Sequence, residues 1–83
     1  MDKTERLQRI DDNAPSELKA IPRWVGYEMV LKPDGKYDKK PYNPNTGHLA
    51  AVDNPATWSD FDTALNFAYT TEKIHGVGLV LSD

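Results

Sequence analysis

The chain has 83 residues, and ten basic against thirteen acidic side chains give a formal net charge of −3. This length supports one domain. Chains of this size bury only about 60% of their unfolded surface, so a lone fold is marginally stable. The sequence has no cysteine, which excludes disulfide scaffolds and thiolate metal sites and favours a cytoplasmic location.

The charge distribution argues against an autonomous nucleic-acid binder. Residues 1–42 carry nine basic and eight acidic side chains (+1), and residues 43–83 carry one basic and five acidic side chains (−4). Binding to nucleic acid normally requires a strongly basic face. Here such a face has to come from four lysines that are close in sequence: Lys32, Lys36, Lys39 and Lys40.

Two kinds of targeting segment are not expected from the sequence. No apolar run approaches the roughly 20 residues that a membrane helix needs. The first residues, Met1 to Arg6, carry charges of both signs with no apolar stretch, unlike a signal peptide.

The first half of the chain predicts a helix and a β-hairpin. Residues 1–15 are polar and mixed in charge, and we expect a lead-in that is partly disordered. A short helix is predicted over 16–21, with prolines on both sides. Residues 23–31 have the aromatic and β-branched content of a strand. An Asp-Gly turn follows and predicts a returning strand over 37–42.

The second half predicts one main helix and one buried strand. Ser59 is the expected N-cap of a helix that runs to about Glu72, and a short strand over 48–52 stays an option. Residues 76–81 form an apolar run that contains two glycines, which favours a central strand with a neighbour on each side. The residues with helical spacing that predict one buried helix face are Phe61, Ala64, Leu65, Ala68 and Tyr69.

Together these elements predict an α+β fold. We expect a small antiparallel sheet of three to four strands packed on one main helix, with residues 16–83 forming a single domain.

Four sequence segments in order resemble a known family. They are Leu-Lys-Ala-Ile-Pro-Arg-Trp-Val over 18–25, Lys-Lys-Pro-Tyr-Asn-Pro-Asn-Thr-Gly over 39–47, Asn-Pro-Ala-Thr-Trp-Ser-Asp-Phe-Asp-Thr-Ala over 54–64, and Gly-Val-Gly-Leu-Val-Leu over 76–81. In this order they resemble the opening of the bifunctional primase/polymerase (prim-pol) domain of phage, plasmid and mobile-element replication proteins, within the archaeo-eukaryotic primase superfamily.

The resemblance implies a role in DNA replication without the chemistry. In the family, an acidic-x-acidic motif that binds divalent metal (Mg or Mn) follows the glycine-containing strand, and Asp83 matches the turn that precedes this motif. The residues agree, because Asp60 and Asp62 are two apart on a helix and diverge by about 200°, whereas two-metal catalysis needs converging carboxylates. We therefore expect no catalytic residue, no metal site and no cofactor in this chain, and contact with DNA or nucleotide only as part of a larger protein.

Four residues are the candidates for nucleic-acid or nucleotide contact: Lys39, Lys40, Tyr42 and Asn43. In this interpretation the lysines contact phosphate and Tyr42 stacks on a base. The alternative is a solvated hairpin in which Tyr42 packs on the core and Asn43 forms a turn. These two interpretations are evenly balanced once the resemblance is considered.

Other conspicuous residues favour structural roles. Trp24 and Trp58 are expected to be core anchors rather than stacking platforms. His48 and His75 lack the spacing of a metal site. Gly76 and Gly78 precede a strand instead of opening a helix, so close backbone approach explains them better than phosphate binding.

A second functional hypothesis needs no nucleic acid. A stand-alone phage or mobile-element protein would act by protein–protein contact, with a partner adding a strand to the exposed last strand. The acidic second half suits such contact better than DNA binding.

Overall fold

The computed structural model describes residues 2–81. In chain order the elements are α1 (Lys3–Asn13), α2 (Ser16–Lys19), β1 (Trp24–Leu31), β2 (Tyr37–Tyr42), a 3₁₀ turn (Pro55–Thr57), α3 (Phe61–Thr70) and β3 (Gly76–Leu79). The predicted α+β class is confirmed.

The three strands form one antiparallel sheet in the order β2-β1-β3. The hairpin between β1 and β2 turns at Gly35, whose φ of 86° is a conformation that glycine adopts without steric cost. The Lys32 amide donates to the Lys36 carbonyl across this turn at 2.7 Å. The predicted hairpin is therefore confirmed.

The main core lies on the face of the sheet that α3 covers, with α1 packed against α3; this is here called the helix face. Trp24 of β1 meets Phe61 of α3 edge to face, with ring centroids 4.7 Å apart. Val77 of β3 belongs to the same cluster, and so do three residues of α3 that follow the predicted spacing: Ala64, Leu65 and Ala68. Tyr69, predicted for the same stripe, is 40% exposed.

The N-terminal segment differs from the expected lead-in, because it forms the eleven-residue helix α1. Its N-cap is Asp2, whose carboxylate accepts from the Glu5 amide at 2.9 Å. Leu7 is fully buried in the main core. Lys3 Nζ donates to the Thr71 carbonyl at the end of α3 at 2.8 Å, and the Arg6 guanidinium donates to the His75 carbonyl. Long-range contacts thus hold a segment whose composition is mostly polar.

Helix α3 begins one residue later than predicted. Its N-cap is Asp60, whose carboxylate accepts from the Thr63 amide. The Thr63 hydroxyl donates to the same carboxylate and is the main reason that the pKa of Asp60 lies below its usual value. Ser59, the expected N-cap, instead pairs with Trp24 through two backbone hydrogen bonds of 2.8 Å.

Two strand predictions need correction. Residues 48–52 contribute only a single bridge, between Leu49 and Tyr42, because the segment bends away at once. The run 76–81 was expected to be central in the sheet, but within residues 2–81 β3 pairs with β1 alone. Loop packing, not a fourth strand, buries Val80.

Candidate functional site

The hairpin separates the two candidate lysines. Side chains of a strand alternate between faces, and Lys40 pairs with Glu28 while Lys39 pairs with Met29. Glu28 lies on the helix face with Trp24 and Gly26, and Met29 lies on the opposite face, here called the open face. Lys39 and Lys40 are both exposed, but they extend to opposite sides of the sheet and do not form one phosphate clamp.

Tyr42 lies on the helix face and packs against the main core. Its hydroxyl donates to Glu28 Oε1 at 3.0 Å, and the Lys73 ammonium lies 4.3 Å from its ring centroid. These contacts occupy the ring and its hydroxyl. The arrangement matches the structural alternative for Tyr42 better than base stacking.

Asn43 is buried and organises the turn that follows β2. Its Oδ1 accepts from the Asn45 amide at 2.9 Å, and its own amide donates to the His48 carbonyl at 2.7 Å. Gly47 closes the turn with a φ of 78°. The Asn-Pro-Asn-Thr-Gly sequence therefore has a sufficient structural reason in this turn.

The open face carries a groove with a volume of about 450 Å³. Three strands contribute to its walls, and the loop residue Val52 borders it. Its lining is Val25, Tyr27, Lys39, Pro41, Val52, Gly78, Leu79, Val80 and Leu81. The lining is mainly apolar and includes one phenol and one ammonium group.

Tyr27 lies across the two glycines of β3. A Cβ atom on Gly76 would come within 2.7 Å of the Tyr27 hydroxyl oxygen, and one on Gly78 would lie 3.9 Å from the ring. The glycine at 76 therefore admits the tyrosine, which confirms close approach as the reason for this residue. The Lys39 ammonium lies 4.7 Å from the Tyr27 ring centroid, within the range of a cation–π contact.

A second, smaller core lies beside the groove and shares Val25 and Val80 with its lining. Val25, Trp58 and Val80 form it, with Ala50 packed against them. Trp58 Nε1 donates to the Ala51 carbonyl at 2.8 Å, which holds the loop on the open face. Both tryptophans are core residues, as predicted, although they serve different faces of the sheet.

His75 has a structural role at the end of β1 and β3. Its Nδ1 accepts from the Met29 amide at 3.0 Å, and its own amide donates to the Tyr27 carbonyl at 2.8 Å. His48 is exposed in the turn after β2.

The groove offers a ligand apolar surface, the Tyr27 ring and the Lys39 ammonium group. Across residues 2–81, no three histidine or acidic side chains are close enough to share a metal ion. Nor does any helix in this range have the length and apolar character for crossing a bilayer. An apolar surface beside the Lys39 ammonium group fits a ligand that has a planar apolar part and an anionic group.

Reasoning from sequence found Lys39 but missed Tyr27 and Val80 as groove residues. One signal was available in the sequence. An aromatic residue on one strand often packs across glycines of the neighbouring strand, and the chain has Tyr27 on one strand and the Gly-x-Gly of 76–78 on another. The register that brings them together is not visible in the sequence.

Comparison with protein-family models and with curated proteins finds no match.

Proposed function

We propose that this chain is the non-catalytic opening segment of a primase-polymerase of the phage or mobile-element type, acting in the cytoplasm. In this role the open face supplies part of the surface on which a template strand or an incoming nucleotide lies. The catalytic carboxylates and their Mg²⁺ or Mn²⁺ ions would belong to a longer protein.

One observation supports the proposal above others. The four segments that resemble the family are far apart in sequence, yet three of them line the groove and the other packs against its lining. Val25 ends the first segment, Lys39 and Pro41 belong to the second, and Gly78 belongs to the fourth. Trp58 of the third packs beneath the groove on Val25. A shared binding surface would explain why these four segments occur together in one chain.

The test uses the native product at its natural length. Its intact mass is measured after purification from the source cells, and incorporation of deoxynucleotides is assayed on a primed template with and without Mg²⁺. We expect a mass above 9.4 kDa and metal-dependent extension. A product of 9.4 kDa that extends no primer would refute the proposal.

A second candidate function has its own supporting observation. Within residues 2–81, β3 pairs with β1 on one side only. The Val80 amide donates to the Arg23 carbonyl of the β1 side at 2.8 Å, so alternation directs the backbone groups of Val77 and Leu79 outward. An added strand from a protein partner would pair with these groups.

Gel filtration with light scattering tests this alternative. A stable dimer that dissociates when Leu79 is replaced by proline would support strand addition, because proline removes an outward amide. If the 83-residue chain is monomeric, a second copy of the chain is excluded as the partner.

A further inference from the structure

The open face continues beyond the groove along the β-hairpin. Three cross-strand pairs lie on this side: Tyr27 with Pro41, Met29 with Lys39, and Leu31 with Tyr37. Leu31 is 60% exposed and Tyr37 is 62% exposed. We call these six residues the hairpin strip.

The charges of the strands are divided between the two faces. The acidic residues Glu28 and Asp38 lie on the helix face, since they pair with Lys40 and Val30 respectively. Lys39 is the charged member of the hairpin strip. The chain is acidic overall, but this face has a local positive charge beside exposed aromatic and aliphatic surface.

This composition favours an anionic ligand with flat apolar parts. Proteins that bind single-stranded nucleic acid combine a basic track for the backbone with aromatic side chains on which bases stack. Tyr37 and Lys39 are two residues apart on β2, so they stand about 7 Å apart along the same face. The cation–π contact with Tyr27 holds the Lys39 ammonium above the strip.

We infer that the hairpin strip binds single-stranded DNA, with a base stacked on Tyr37 and a backbone phosphate paired with Lys39. The inference rests on the proposed function and deepens it, because it makes the template strand, not a free nucleotide, the ligand of this face. Lys40 takes no part, although it is the neighbouring residue and has the same side chain, because it lies on the helix face.

The binding experiment uses the native product at its natural length and a fluorescein-labelled thymidine oligonucleotide, followed by anisotropy from low to moderate salt. Tyr37→Ala removes the stacking ring, and its matched control is Tyr69→Ala on α3. Lys39→Glu reverses the charge while keeping the face soluble, and its matched control is Lys40→Glu on the other face. Circular dichroism verifies that each variant is folded.

We expect Tyr37→Ala to weaken binding at least about fivefold, as the loss of one stacked base does. Lys39→Glu should reduce the slope of log K against log salt by at least about 0.7, the value for one phosphate contact on a single strand. Both control variants should bind within twofold of the unsubstituted chain.

Three results would overturn the inference. They are the absence of oligonucleotide binding at low salt, equal losses for Lys39→Glu and Lys40→Glu, and tighter binding of thymidine triphosphate than of the oligonucleotide. The proposed function fails separately, through the primer-extension assay on the native product. Extension without binding to the strip would leave that function in place and remove only the strip's role.

Discussion

The close approach of α3 to the sheet depends on the absence of a side chain at Gly26. A Cβ atom at this position would lie 2.7 and 2.8 Å from two ring atoms of Phe67 and 3.0 Å from a methyl group of Ile74. Carbon atoms in ordinary contact are 3.5–4.0 Å apart, so the added methyl group is short of space by about 1 Å. Ile74 is fully buried and has little room to retreat.

Gly26→Ala is therefore expected to destabilise the protein by overpacking, which costs about 1–3 kcal/mol. A matched control separates this cost from backbone effects. Replacing glycine by alanine also restricts the unfolded chain, which stabilises by about 0.4–1 kcal/mol. At Gly78 the nearest atom to an added Cβ is 3.9 Å away, so Gly78→Ala should show only this stabilisation. The difference between the variants isolates the overlap, about 1–3 kcal/mol.

Urea unfolding followed by tryptophan fluorescence measures both variants, since Trp24 and Trp58 report from the two cores. The midpoint should fall for Gly26→Ala and hold or rise for Gly78→Ala, with the same slope in both. Shortening the opposing ring, as Phe67→Leu, should recover part of the loss in the double variant. Equal midpoints for the two glycine variants would contradict the close packing of Phe67 and Ile74 on Gly26.

Two further predictions concern the helices. Leu7→Ala should lower the free energy of unfolding by about 2–5 kcal/mol, because the side chain is fully buried, and a disordered lead-in would show no change in urea unfolding. Asp60→Ala should cost about 0.5–2 kcal/mol at neutral pH through loss of the N-cap. Since the native pKa of Asp60 is lowered, its contribution is present above about pH 4. It is lost as the pH falls through the native pKa, so acid titration of the midpoint should converge for the two proteins.

Local sequence signals were sufficient to predict the elements whose boundaries are set by neighbouring residues. The hairpin follows from an Asp-Gly turn between two strand-like runs, and the buried stripe of α3 follows from its apolar spacing. The hairpin and the stripe are each determined by residues a few positions apart, so they form in the same way wherever the element packs in the fold.

The elements that were not foreseen depend on distant residues. Helix α1 is mainly polar, and it is stabilised through Leu7 and through bonds to residues about seventy positions later. Ser59 has the side chain of an N-cap, but its backbone pairs with Trp24, and this pairing moves the cap to Asp60. The position of β3 at one side of the sheet likewise depends on which strands are present, which composition does not reveal.

The candidate site shows the same division. Lys39 and Lys40 are equivalent in the sequence, and only the alternation of a paired strand separates them. Tyr27 becomes part of the groove because the register places it across Gly76.

The long-range anchoring of α1 has a consequence for synthesis on the ribosome. Lys3 and Arg6 bond to carbonyl groups that lie 68 and 69 residues further along the chain. At about 5–20 residues per second, translation needs roughly 3–14 s to produce those partners. During that interval the apolar side of α1 has no core to cover it, so this helix is synthesised well before the contacts that protect it from proteases and chaperones.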